Sequence, residues 1–232
     1  MTDIERHGSV AARLADMLMR YQSNRTTLFD WMHPDWRGSA LARLPDGDSP
    51  GTRLLLIRAA ETWLRAAGCA PPPLAAFRGA TAPLAALPVH EAMCALRLRA
   101  LHFRRAELRY WVDRESRERV SLWLGRNASA ALRWLIEMPN APAVDRLMRD
   151  YGMASLDELD GAGLAWEGYC HFAHAGLCKP SAPLALLRFA WGADVALPSW
   201  LSAYGTFGHK DVSVQFMSRL PDFFQEHTWS SG

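Results

Sequence analysis

Cys170, His171, His174 and Cys178 come nearest to a ligating set among the residues of this sequence. In the run GLAWEGYCHFAHAGLC, from Gly163 to Cys178, the residues Cys170, His174 and Cys178 stand four apart. A continuous helix would place them on one face with His171 beside them. Thiolate and imidazole are the ligands of structural zinc, which takes four of them in a tetrahedron. Against a zinc site, the spacing demands two successive steps of one helical turn, Gly176 and Pro180 weaken the helix there, and the chain has no C-x-x-C pair. Buried thiols and core imidazoles account for the same residues, because a free cysteine packs as a small apolar side chain. No metal and no cofactor is therefore expected, and Cys170, His174 and Cys178 are the candidate ligands should one bind.

Catalytic patterns are equally sparse. The sequence contains no G-x-x-x-x-G-K-S/T phosphate loop, no dinucleotide glycine fingerprint, no H-E-x-x-H and no nucleophile elbow. His33 sits between Trp31 and Trp36 but lacks a nucleophile or acid at a motif spacing. The unusual residues are instead Trp, Arg, Leu and Pro, the types that build cores and interfaces. The expectation is a protein that is not an enzyme.

Arginine carries the strongest chemical signal. Between Glu91 and Glu137 there are ten arginines (97, 99, 104, 105, 109, 114, 117, 119, 126, 133) against six acids (91, 107, 113, 115, 118, 137), a surplus of four, and no lysine. Three readings are open. The arginines can form a solvated helix face, with stems lying on apolar surface and Glu/Arg pairs each contributing about 0.2–0.5 kcal/mol. They can form a docking face for an acidic protein, since guanidinium presents a planar fork to carboxylates. They can bind nucleic acid, although a net charge of +2 over 232 residues does not describe a general polyanion binder. On side-chain chemistry alone, Arg104, Arg105 and Arg109, together with Trp31 and Trp36, are the candidate partner-interface residues.

The elements that position these groups read as helices. The stretch Leu84 to Met138 keeps apolar residues at three- and four-residue steps: Met93, Leu96, Ala100 and Leu101, then Leu108, Trp111 and Val112, then Val120, Trp123 and Leu124, which Gly125 stops. Asn127 restarts a helix burying Ala131, Leu132, Leu135 and Ile136. Upstream, Ser9 is placed to cap an amphipathic helix carrying Leu14, Met17, Leu18 and Tyr21, and Thr52 to cap one carrying Leu55, Ala59, Trp63 and Leu64. Two proline–tryptophan corners are expected, around Pro34 and around Pro198, and a proline-rich loop spans 70–83. Only Val212 to Phe216 alternates like a strand, and five residues make no sheet alone. The expected fold is all-α, a compact multi-helix domain with at most a short two-stranded element. Its expected divisions are an N-terminal helix over 1–27, a helical body over 28–204 and a tail over 205–232.

An apolar fraction of 50% supplies a sizeable core. The start, MTDIERHGS, mixes acids and bases where an export signal needs a cationic start and an apolar run, and nowhere do about 18 apolar residues follow one another. The four cysteines show no disulfide-framework spacing. These features point to a reduced, cytoplasmic protein.

The order of short elements then carries a resemblance. A corner of Trp31, His33, Pro34 and Trp36, the pair Leu87-Pro88, a long Leu/Arg-rich helical centre and a late Leu197-Pro198-Ser199-Trp200 together resemble the SctK/YscK family of type III secretion accessory proteins, with the Arg- and Trp-rich character of Hrp-type members from plant-associated bacteria. The likeness covers roughly residues 28 to 201. It implies a non-catalytic cytoplasmic adaptor of the sorting platform. Its implied partners are the pod-forming protein and the cytoplasmic domain of the inner-membrane ring protein, with no direct contact to nucleic acid and no membrane span. The alternative is a helical regulator that binds nucleic acid or zinc.

Overall fold

The computed structural model describes residues 3–41, 49–138, 144–204 and 210–224. Every regular element among them is a helix and no strand is present, in accord with the all-α expectation. The chain divides into two units, one built from residues up to Val89 with Leu177–Val195, the other from His90–Gly176 with the segment beginning at Ala196. The breaks expected at 27/28 and 204/205 are not where these units divide.

In the first unit, α1 (Asp3–Thr26) and α2 (Leu28–Trp31) lead into α3 (Pro34–Leu41), which is broken at Gly38 (φ +44°). α4 (Pro50–Ala66) and α5 (Ala82–Ala86) follow. α1 packs on α4 and α5, and α5 packs on a 3-10 helix at Pro183–Ala190. The packing follows from the apolar positions: Met17 and Tyr21 of α1, Ala60 and Leu64 of α4, Leu84 of α5, and Leu184 and Leu187 are all buried. Polar side chains fix the junctions. Asn24 donates to the carbonyls of Ala85 (3.1 Å) and Leu87 (2.7 Å), while Trp31 Nε1 donates to the Asn24 carbonyl. Arg25, 1% exposed, holds Glu61 of α4 through two hydrogen bonds and also donates to the Cys69 carbonyl.

Two expected caps move. α1 runs through Ser9, so that residue does not start the helix. α4 is capped by Ser49, whose hydroxyl accepts from the Thr52 N–H, with Pro50 in the first turn where its missing N–H costs nothing. Leu55 is exposed, against expectation, whereas Leu64 is buried as expected. The segment 70–83 contains a 3-10 turn at Leu74–Arg78 and otherwise stays irregular until α5.

The second unit contains α6 (Val89–Phe103), α7 (Arg105–Leu108), α8 (Arg114–Leu124), α9 (Ala128–Glu137), α10 (Val144–Tyr151), α11 (Gly161–His174), α12 (Trp200–Tyr204) and α13 (Lys210–Phe223). Leu96, Ala100, Leu101, Leu108, Val120, Trp123, Leu124, Ala131 and Leu135 form its core as the periodicity requires. Val112 and Ile136 do not join it; they are 66% and 51% exposed. α11 crosses α6 so closely at Gly168 that a Cβ there would stand 1.9 Å from the Leu96 carbonyl oxygen. The strand expected at Val212 to Phe216 lies within α13. Ser213, Phe216, Met217 and Leu220 are buried there at three- and four-residue steps, a helical period that five residues of alternation could not reveal. The remainder of the 205–232 tail, including Trp229, lies outside the described residues.

Candidate protein interface

The arginines of the central stretch separate into an inward and an outward set. Arg104 is fully buried at the end of α6. Its Nε and Nη2 donate to the two carboxylate oxygens of Glu167 on α11 at 2.7 and 2.6 Å, and its Nη1 donates to Glu107 (2.8 Å) and to the Ala154 carbonyl (2.9 Å). Glu107 in turn accepts from the Leu156 N–H, so one guanidinium organises α6, α7, α11 and the turn before residue 156. Burial pushes the Glu167 carboxyl up, opposed by the two hydrogen bonds from Arg104. Arg105 is also buried and donates to the His102 carbonyl. The docking face expected at Arg104 and Arg105 is therefore corrected: side chains withdrawn from water into a core have little surface to offer a partner. Arg97 likewise turns inward, to the carbonyls of Gly161 (2.8 Å) and Trp123 (3.1 Å).

Arg109 behaves differently. It is exposed, and its Nη2 donates to the Met138 carbonyl at 2.6 Å. Arg114, Arg117, Arg126 and Arg133 are exposed too, and Arg119 lays its guanidinium over the rings of Trp111 (5.4 Å) and Trp123 (6.0 Å). Asp113 caps α8 by accepting from the Ser116 N–H and hydroxyl. Between α7 and α8 the chain therefore presents Arg109, Tyr110, Trp111 and Val112 on a held backbone.

Trp31 and Trp36 belong to the first unit and are half-buried. Trp36 stacks edge-on against Trp63 (6.1 Å) and Phe189 (5.3 Å) while its Nε1 donates to the Trp191 carbonyl, and Arg188 sits 5.4 Å above its ring. These contacts make it chiefly a packing residue that is only partly exposed. Trp200 of the second corner packs in the other unit, stacked on Phe103 at 5.9 Å.

The cysteine and histidine cluster does not assemble as the spacing allowed. Cys170 is fully buried in α11, His174 is exposed in its last turn, and Gly176 (φ +76°) ends the helix before Cys178. Among the described residues no group of three His, Cys, Asp or Glu side chains is placed to hold a metal ion. No two of the four cysteines are joined by a disulfide. The buried histidines serve the core: His102 stacks on Trp134 (5.2 Å, 20°), and His171 lies against Phe103 and Trp200. Burial, reinforced by Arg99 and Arg105, drives the His102 pKa down to about 3, and burial lowers that of His171 well below its usual value.

Sequence reasoning missed the buried ion pairs. One signal was present: Glu167 is the lone acid inside the apolar run from Leu164 to Phe172, and a buried carboxylate requires a cation.

No helix among the described residues is long and apolar enough to cross a membrane. No curated protein and no solved structure matches the chain. A family model does match, over residues 8–226, which takes in both units and nearly the whole sequence. The chain belongs to that family, the bacterial type III secretion proteins of the HrpB4 type.

Proposed function

We propose that this protein is a non-catalytic adaptor of the type III secretion apparatus. It works in the cytoplasm at the inner membrane and joins the pod-forming protein of the sorting platform to the cytoplasmic domain of the inner-membrane ring protein, as the SctK/YscK likeness implies. The observation that carries this reading is the division of the chain into two helical units, each with its own core and each exposing large apolar side chains. Leu54, Leu55 and Leu74 are exposed on the first unit, and Tyr110, Val112 and Leu122 on the second. A connector needs two separate adhesive faces on rigid bodies, and apolar side chains left in water are how such faces are built. Of the interface residues expected from sequence, Trp31, Trp36 and Arg109 retain accessible surface.

Co-purification tests the proposal. Tagged chain recovered from cells that carry the secretion system should bring both the pod protein and the ring protein. Recovery of neither, under conditions that preserve the apparatus, refutes the adaptor role.

A further inference from the structure

We infer that the run Ala70–Pro73 is a docking ridge for a groove lined with aromatic side chains on a protein partner. Covalent geometry fixes its shape. Each proline ring holds φ at about −65°, and Ala70, Pro71 and Pro72 each precede a proline, which keeps them extended. Every peptide bond among the described residues is trans, and Pro73 stands at φ −64° and ψ 151°. Those are the angles of a polyproline II helix, which has about three residues per turn and no internal hydrogen bonds.

Both ends of the ridge are pinned to the first unit. Cys69 is buried; its N–H donates to the Leu64 carbonyl and its own carbonyl accepts from Arg25. At the other end the Ala76 N–H donates to the Pro73 carbonyl, and buried Phe77 meets the Tyr21 ring edge-on at 5.0 Å. Between these anchors Pro72 is half-buried, whereas Ala70, Pro71, Pro73 and the following Leu74 are exposed. With about three residues to a turn, one edge of the ridge lies toward the body and the other two face water.

Chemistry selects the occupant. No charged residue lies between Arg65 and Arg78, so the ridge offers no cation to a phosphate backbone. Three successive residues lack an N–H, so it cannot join the edge of a sheet. What remains are flat pyrrolidine faces and outward carbonyls, which aromatic rings and the N–H or O–H of Trp and Tyr are suited to meet. The ridge already has its bound shape and loses little conformational entropy on docking.

The test places a photo-crosslinking amino acid at position 74 of the full chain, in cells carrying the secretion system, with the same probe at exposed Met19 as control. The expected adduct forms from position 74 alone and maps beside Trp, Tyr or Phe residues of another protein. That protein, purified, should bind the chain at least about tenfold more weakly after Pro71→Ala or Pro73→Ala. Alanine in place of the partner's aromatic residue nearest the adduct should weaken binding as much, a comparison that leaves the folding of this chain untouched. No adduct, an adduct to nucleic acid or to a second copy of the chain, an adduct to a stretch without aromatic residues, or affinity unchanged by the proline or the aromatic substitutions overturns the inference. It rests on the adaptor reading only in taking the partner from the apparatus. An aromatic groove on any other protein keeps the ridge and counts against the adaptor.

Discussion

Glu167 receives both of its carboxylate hydrogen bonds from Arg104, at 2.7 and 2.6 Å, with each side chain almost wholly withdrawn from water. Removing one partner leaves the other charged in a core, which costs about 3–5 kcal/mol, whereas replacing both by apolar residues of similar volume is close to neutral. Arg104→Ala is therefore expected to lower stability by about that amount. Arg104→Met combined with Glu167→Leu should recover only part of the loss, because Glu107 and the Ala154 carbonyl still lose the donor that Arg104 gave them. Chemical denaturation of the full chain measures both, and a wild-type midpoint for Arg104→Ala would show that the pair does not hold the core.

Gly168 meets α6 where no side chain fits. The added methyl of Gly168→Ala would strike the Leu96 carbonyl, backbone that cannot rotate away, so α6 and α11 must separate. Overpacking of this kind costs about 1–3 kcal/mol, and a backbone clash belongs at the upper end. Gly51→Ala, whose nearest neighbour would be the Ser49 hydroxyl at 3.7 Å, is the control and should change the melting temperature little.

Acid should weaken the second unit before ordinary carboxylates titrate. Both His102 and His171 are buried neutral with lowered pKa. Above about pH 6.5 neither the folded nor the unfolded chain protonates them, so they contribute no pH dependence. Below it the unfolded chain binds protons that the native core refuses, and stability falls by up to about 1.4 kcal/mol per pH unit for each ring. His102→Phe should make the fall between pH 6.5 and 5 shallower. An unchanged slope would mean that His102 is accessible to protons in the native state.

The exposed set should behave in the opposite sense to the buried one. Arg109→Glu and Tyr110→Ala, at positions that face water, are expected to shift unfolding free energy by no more than about 0.5 kcal/mol each. Thermal melts of the purified variants check this. A large loss would make the turn part of the core and not a surface.

The helical class and most of the core were legible because Leu96, Ala100, Leu101, Trp123 and Leu135 repeat at the period of a helix. Which arginines faced water was not. Arg104 and Arg109 are five residues apart on one Arg-rich run, and only the position of Glu167, 63 residues downstream of Arg104, decides that one of them turns inward. Val112 and Ile136 continued an apolar pattern that the fold leaves uncovered, and apolar residues exposed at a held turn are the mark of a surface and not of a failed core. The Cys170, His174 and Cys178 spacing presumed a helix running to Cys178, whereas α11 ends at His174, four residues short of it.

The adaptor role is tested most directly by mixing the purified chain with the pod protein and with the cytoplasmic domain of the ring protein, and measuring the mass of the complexes by light scattering after gel filtration. The proposal predicts a binary complex with each and a ternary complex when all three are present. Failure to bind either protein, or two binary complexes that exclude one another, would contradict it.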